Sequence, residues 1–184
     1  AKHKTGAASV QLQEDKYGNT IAPLFSIVKS LDPLLPAFTT ILVKANVSER
    51  EMAAHCIKDL VAMSADSVLK PFLIKTVGPL IRVMGEQKVA SSIKEAVLGS
   101  LEVLLIKGGV ALKPFVPQLQ TTFVKAMSDQ SRAVRSFATS TLALLMDLTT
   151  RVDPVINELC SVATTAEAHS IRASCFYACA KVVG

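Results

Sequence analysis

A short proline-containing motif returns along the chain at intervals of about 40 residues. The sequence LKPFL begins at Leu69 and returns as LKPFV at Leu112, with weaker copies beginning at Leu31 and Val152. This interval is the length of a repeat built from two helices. Each proline precedes an apolar stretch, and the first turn of a helix tolerates proline because its N–H groups lack helical partners. The repeat predicts stacked helical hairpins, each with a proline near the start of its first helix.

The second half of each repeat carries apolar residues at positions i, i+4, i+8 and i+11, which form one face of an α-helix. The four sets are Met52, Cys56, Leu60 and Met63; Ile93, Val97, Leu101 and Leu104; Val134, Ala138, Leu142 and Leu145; and Ile171, Cys175, Cys179 and Val182. One hairpin cannot bury such a stripe alone, so successive hairpins must stack. We therefore expect an all-α fold, an α-solenoid of about four hairpins at 32–66, 69–109, 112–150 and 152–184. Residues 1–31 lack this period, so we expect them to form a leader that matches the repeat poorly or a partial helix.

The composition excludes several other classes of protein. Half of the residues are hydrophobic and 19% are charged, which is the opposite of a disordered chain. Apolar runs are interrupted long before the roughly 20 residues that a membrane span needs, and no apolar signal segment opens the chain. The first residue is not methionine and the last lies within a helical pattern, so we expect a fragment of a longer protein. A chain with this much apolar material needs no disulfide framework, so we expect reduced cysteines and a cytoplasmic location.

The chain shows no constellation typical of an enzyme, a cofactor or a metal. It contains three histidines and neither a nucleophile elbow nor a phosphate-binding loop. His169, Cys175 and Cys179 offer only three potential zinc ligands, whereas a structural zinc site uses four. Cys175 and Cys179 fall on core positions, as does Cys56, so we expect buried free thiols. Cys160 shows no pattern that indicates a partner.

The third repeat resembles a HEAT repeat, because Asp129 precedes the Val134-Arg135 pair by five residues. In HEAT repeats, a turn aspartate and a helix arginine form a ladder of charge-assisted hydrogen bonds between stacked units. The resemblance therefore implies structural roles for Asp129 and Arg135. Glu86 and Glu167 occupy the corresponding turns at different spacings, so we expect the ladder to be discontinuous.

A longer run carries a more specific resemblance. Residues 111–126 read ALKPFVPQLQTTFVKA and SRAVR follows at 131–135; SADSVLKP at 64–71 and GPLIRVMGE at 78–86 precede them. These segments, in this order, resemble the C-terminal HEAT region of the general control nonderepressible protein one family. The resemblance covers about residues 32–184. It implies a non-catalytic scaffold that binds the RWD domain of the initiation factor two alpha kinase, promotes its activation in amino-acid starvation and associates with the ribosome. The alternative is a generic structural HEAT segment with no partner site here.

Positive charge is concentrated in the middle of the chain. Residues 69–135 contain ten basic and four acidic residues. Such a stretch can attract RNA phosphates or an acidic protein face, or it can be a solvated outer face. The phenylalanines lie in apolar patterns, which argues against sequence-specific nucleic-acid recognition. We assign Arg132 to an exposed turn as the main candidate for partner binding, with Lys125 and Lys113 as weaker candidates.

Overall fold

The computed structural model describes residues 13, 14, 18, 20, 21 and 31–183, and almost all of this part is helical. The helices are α1 (Leu34–Lys44), α2 (Val47–Met63), α3 (Asp66–Gly85), α4 (Ser91–Gly108), a 3₁₀ helix (Gly109–Phe115), α5 (Val116–Ala126), α6 (Arg132–Met146), α7 (Asp153–Thr165) and α8 (His169–Val183). The predicted all-α class is confirmed. None of these helices combines the length and apolar content needed to cross a bilayer.

Besides the helices and the turns that join them, the described residues include a small hairpin near the start of the chain. Strand β1 (Gln13–Glu14) pairs antiparallel with β2 (Thr20–Ile21). Between them, Gly18 has a φ of 79°, in the left-handed region that glycine enters without steric cost. A partial helix is therefore not formed at these positions, and most of the predicted leader 1–31 lies outside the described residues.

The helices form two layers. The first helices of each pair, α1, α3, α5 and α7, make the first layer, and their partners α2, α4, α6 and α8 make the second layer. Each helix packs against its pair partner and against the next helix in its own layer. The second layer is the more tightly packed of the two, because its helices carry the predicted apolar stripes. This stacking is that of an α-solenoid, as the repeat predicts.

The core is one continuous cluster that runs through all four pairs. It contains every residue of the α4 and α6 stripes, including Leu101, Leu104, Ala138, Leu142 and Leu145, and also Leu60 of α2. Burial of one aliphatic side chain contributes roughly 1.5 to 3 kcal/mol. The core therefore stabilises the stacking of the pairs as well as each pair.

The predicted stripe of α2 is wrong at its start. Met52 is 64% exposed and Cys56 is half-buried, whereas Ala53 and Ile57 are buried. The small Ala53 and Ala54 side chains allow α4 to approach closely, and the Ser100 hydroxyl of α4 donates a hydrogen bond to the carbonyl of Ala54 (2.8 Å). Methionine at a buried position there would hold the two helices apart, so close packing selects the neighbouring face.

The predicted place of proline in the first turn does not hold for α3. This helix begins at Asp66, so Pro71 is its sixth residue, and Pro79 also lies inside it. Val68 and Leu69, which precede Pro71, are buried in the core. Their burial extends the helix before the proline and offsets the one or two backbone hydrogen bonds that proline removes. Pro154 does lie in the first turn of α7.

We predict that Leu142→Ala lowers the free energy of unfolding by about 2–5 kcal/mol, because Leu142 is fully buried in the second layer and its loss leaves a cavity. Ser140→Ala, an exposed site on the same helix, should change it by less than about 0.5 kcal/mol. Urea denaturation followed by circular dichroism measures both. Equal effects of the two substitutions would contradict the assigned face of α6.

Candidate functional site

Most of the residues that the sequence analysis singled out lie in or beside the turn between α5 and α6. Ser131 caps the N-terminus of α6, since its hydroxyl accepts a hydrogen bond from the Val134 amide (3.4 Å). Its own amide donates to the carboxylate of Asp129 (2.9 Å). Met127, the first residue of the turn, is fully buried in the core and fixes the turn to it. The sequence between Met127 and Ser131 therefore forms a short, closed turn that presents the start of α6.

Arg135 holds this turn from inside the fold. Its guanidinium is buried and donates to the backbone carbonyls of Asp129 (2.8 Å) and Gln130 (3.0 Å). Its Nε donates to the hydroxyl of Ser174 on α8 (3.0 Å). Arg135 thus contacts Asp129 through the main chain and not through the carboxylate, and it also joins α6 to the last helix pair.

The carboxylate of Asp129 has a different partner, in the preceding pair. Lys94 of α4 donates to Asp129 Oδ2 (2.5 Å), and both side chains are largely shielded from solvent. Alongside, Ser131 Oγ donates to Glu95 Oε1 (2.9 Å). Lys94 follows Ile93 as Arg135 follows Val134, so it is the equivalent basic residue one repeat earlier. These contacts tie the turn to α4.

A similar contact joins the first two pairs. Arg50 of α2 donates to Glu86 Oε2 (2.7 Å) and to the carbonyl of Leu42 (2.7 Å). Glu86 therefore takes part in the ladder although its spacing departs from the HEAT pattern, because it caps the C-terminus of α3 within reach of Arg50. The expectation of a discontinuous ladder was wrong at this step.

The last helix pair repeats only the main-chain part of the pattern. Arg172 of α8 donates to the carbonyls of Ala166 and Glu167, both at 3.3 Å. This reproduces the contact of Arg135 with its own turn. The side chain that Arg135 reaches on α8 is Ser174, and Glu167 is exposed. The ladder therefore has carboxylate contacts at two of its three steps and a hydroxyl at the third.

The three predicted partner-binding residues are all exposed, but they do not lie together. Arg132 is the first residue of α6, and Lys125 lies in the last turn of α5, so the two flank the turn from its two sides. Lys113 belongs to the 3₁₀ helix at the other end of α5, beside the 146–151 connection. Lys113 and Lys125 are twelve positions apart, which corresponds to roughly 18 Å along a helix.

Arg132 also borders a cleft between α6 and α8 that the sequence analysis did not anticipate. The cleft has a volume of about 550 Å³ and includes Ser136, Thr139 and Tyr177 in its lining. Tyr177 is 59% exposed. Arginine and tyrosine are both enriched among residues that dominate protein-protein binding. The available signal was that Tyr177 lies off the Cys175–Cys179 stripe of α8, which places an aromatic ring outside the core.

Not all of the basic residues in the middle of the chain contribute to a charged surface. Lys107 is buried at the end of α4 and donates to the carbonyls of Ala62 and Ser64 (2.7 Å to Ser64). A cation is favourable there because the last carbonyls of α2 lack helical partners. With Lys94 and Arg135 also engaged in the stack, the remaining seven basic residues are exposed: Lys70, Lys75, Arg82, Lys88, Lys113, Lys125 and Arg132.

The four cysteines occupy different environments. Cys175 is buried, Cys56 and Cys179 are half-buried, and Cys160 is exposed. Burial raises the pKa of Cys175. Burial, then the charge and the hydrogen bond of the neighbouring Cys160, raise the pKa of Cys179 to about 11. Cys160 thus lies beside Cys179, and both are free thiols. Among the residues of 31–183, His169 and the cysteines do not form a group of three or more potential metal ligands.

We predict that Asp129→Ala destabilises the protein by about 1–3 kcal/mol, because it leaves partly buried Lys94 without its carboxylate and removes a hydrogen bond of the turn. Glu158→Ala on α7, an exposed carboxylate, is the matched control and should be nearly neutral. Urea unfolding of the two variants beside the parent measures the difference. A neutral Asp129→Ala would show that the contact between α4 and the turn adds nothing to stability.

We predict that iodoacetamide at about pH 8.5 labels Cys160 well before Cys175 and Cys179, because the thiolate is the reactive form and the pKa values of these two thiols are raised. Mass spectrometry of timed samples measures the order. After unfolding, all four thiols should react, and EDTA should leave the melting temperature of the native protein unchanged. A lowered melting temperature in EDTA, with zinc released, would reveal a metal site.

Comparison with known proteins adds evidence of ancestry. No family model matches the chain. The chain is 40% identical over 153 residues to Protein ILITYHIA of Arabidopsis thaliana, covering 83% of this chain and 6% of that protein. It is 38% identical over 160 residues to the eIF-2-alpha kinase activator GCN1 of Saccharomyces cerevisiae, covering 86% and 6%. It is 37% identical over 131 residues to the human Stalled ribosome sensor GCN1, covering 71% and 5%.

The chain thus spans only about a twentieth of the length of these relatives and corresponds to one segment of them. The identity extends over most of the chain and recurs in GCN1 proteins of fungal, human, mouse and Dictyostelium origin. The resemblance to this family is thereby confirmed. By sequence, the chain belongs to the GCN1 family.

Proposed function

We propose that this chain is a non-catalytic scaffold segment that binds the RWD domain of the initiation factor two alpha kinase and so promotes kinase activation. The names of two relatives, eIF-2-alpha kinase activator, indicate the process. The observation that carries the proposal for this segment is the exposed guanidinium of Arg132 at the start of α6, on a turn that neighbouring pairs hold in place.

The contacts around the turn make it a fixed platform. Lys94 and Arg135 engage Asp129 from α4 and α6, and Ser131 engages Glu95. A surface that is ordered before binding loses less conformational entropy when a partner arrives. The two carboxylates nearest the turn are already occupied by these contacts. The charge presented outward is therefore positive, and the matching face of the RWD domain should be acidic.

The cleft between α6 and α8 places an aromatic side chain near the exposed cation. Arg132 and Tyr177 lie in its lining with the small side chains of Ser136 and Ser170. An aromatic side chain beside an arginine is a common centre of binding energy in protein interfaces. We therefore place the middle of the interface at this cleft, with Lys125 at its edge and Lys113 outside it.

Tethering is the mechanism that such a surface supports. A scaffold that associates with the ribosome and also holds the kinase raises the effective concentration of the kinase at the ribosome. The gain depends on holding both partners at once and requires no catalytic group. The alternative is that this segment is a structural part of the array with no partner site. Its ladder and core would then serve only to stack one unit on the next.

We predict that Arg132→Glu weakens binding of the isolated RWD domain by at least about a hundredfold, because it places like charges against an acidic face. The melting temperature should stay nearly unchanged, since Arg132 is exposed and makes no hydrogen bond that holds the turn. Calorimetric titration at two salt concentrations, beside a melting curve, measures both quantities.

Two further variants make the test specific. Arg151→Glu gives the same charge change at an exposed site on the connection before α7, at the other end of α6, and should bind like the parent. Tyr177→Ala should weaken binding with less dependence on salt, because it removes apolar contact. Equal binding by all four proteins would reject the site, and absence of binding by the parent would favour the structural alternative.

A further inference from the structure

Basic residues are concentrated on one part of the first layer, namely its first three helices and the 3₁₀ helix. Three first-layer helices and the 3₁₀ helix carry six basic residues: Lys44 on α1, Lys70, Lys75 and Arg82 on α3, Lys113 on the 3₁₀ helix and Lys125 on α5. All six are exposed. The only acidic residue in these four segments is Asp66, half-buried in the first turn of α3. The fourth first-layer helix, α7, carries only acidic residues. In the second layer, α2 and α4 mix both signs, and α6 and α8 carry only basic residues.

The six cations form an extended surface, which we call the basic face. Lys44, Arg82 and Lys125 each lie in the last turn of their helix. Successive first-layer helices pack side by side, so these three form a row across the stack, with neighbouring helix axes roughly 8–10 Å apart. Lys70 and Lys113 lie near the opposite edge, about 18 Å along the helices.

Helix dipoles alone do not account for this distribution. The dipole favours cations at helix C-termini, as at Lys44, Arg82 and Lys125, and favours acidic residues in the first turn. The first turns of α1, the 3₁₀ helix and α5 contain no acidic residue. Lys70 instead lies towards the start of α3, where a cation is unfavourable, and Lys75 lies near its middle. The basic face therefore exceeds what the stability of the helices requires.

The composition of the basic face indicates a polyanionic partner whose charges repeat along a backbone. The phenylalanines of these segments are turned inward: Phe72 and Phe123 are buried, and Phe38 and Phe115 pack against the core. The basic face therefore lacks the aromatic centre typical of protein interfaces and the rings on which single-stranded bases stack. Contacts to phosphates of a double helix need only cations and polar groups.

We propose that the basic face binds the phosphate backbone of double-stranded RNA without reading its sequence. This surface is separate from the turn and cleft at Arg132, except that Lys125 borders both. The chain would then hold an RNA helix on its first layer and a protein on its second. The idea does not require the kinase interaction, and the two can fail independently.

The test compares two triple substitutions with the same loss of charge. Lys70→Gln/Lys75→Gln/Arg82→Gln removes three cations from the basic face, and Lys58→Gln/Arg132→Gln/Lys181→Gln removes three from α2, α6 and α8 of the second layer. Fluorescence anisotropy with an RNA duplex of about 20 base pairs, at several salt concentrations, measures affinity and its salt dependence. Polyglutamate is the second probe, and melting curves establish that each variant is folded.

We expect the basic-face variant to bind the duplex at least about tenfold more weakly than the parent, with a salt slope reduced by about two. The second-layer variant should bind RNA within about twofold of the parent. Equal losses in both variants would overturn the proposal, since the effect would then come from net charge alone. Binding of polyglutamate in preference to RNA would also overturn it, in favour of an acidic protein. If the basic-face variant still binds the RWD domain like the parent, the two surfaces are distinct.

Discussion

Stacking of the second-layer helices is the constraint on which the rest of the structure depends. Each of these helices has an apolar stripe that its own pair covers only in part, so α2, α4, α6 and α8 pack in sequence. Polar groups within this layer form bonds between units: Ser100 to the Ala54 carbonyl, Lys107 to the Ser64 carbonyl and Arg135 to Ser174. A buried donor costs free energy unless it finds an acceptor. These bonds therefore favour one register between neighbouring pairs.

A fixed register gives the charged residues two different roles. Those at the contacts between units, such as Arg50, Lys94 and Arg135, are held by carboxylates, hydroxyls or carbonyls and transmit the position of one turn to the next. Those that remain exposed, such as Arg132 and the cations of the basic face, are presented from a scaffold whose spacing is set by helix packing. Recognition by such a chain depends on the stability of the stack, because the spacing of the exposed groups has no other support.

Much of the candidate site followed from local sequence. A polar turn before Val134-Arg135 places Arg132 at a helix start, and a residue there is exposed whatever the exact tilt of the helix. The partners in the ladder were harder to predict from the sequence. Asp129 pairs with Lys94, which is 35 positions away, and Glu86 pairs with Arg50, which is 36 positions away. Tyr177 was not predicted for a related reason. Its proposed binding role depends on the cleft between α6 and α8, which exists only when two repeats are stacked.

The sequence by itself determined that the chain is a series of helix pairs, since a repeat of about 40 residues and stripes of helical period suffice for that inference. It also determined which faces of α4 and α6 are buried. Tertiary structure decided the buried face of α2, where the need for Ala53 and Ala54 against α4 displaced Met52 to the surface. It likewise decided that Lys107 is a buried donor while Lys113 is exposed. Composition and period treat two lysines alike, and only the neighbouring units determine whether carbonyl groups or water surround each one.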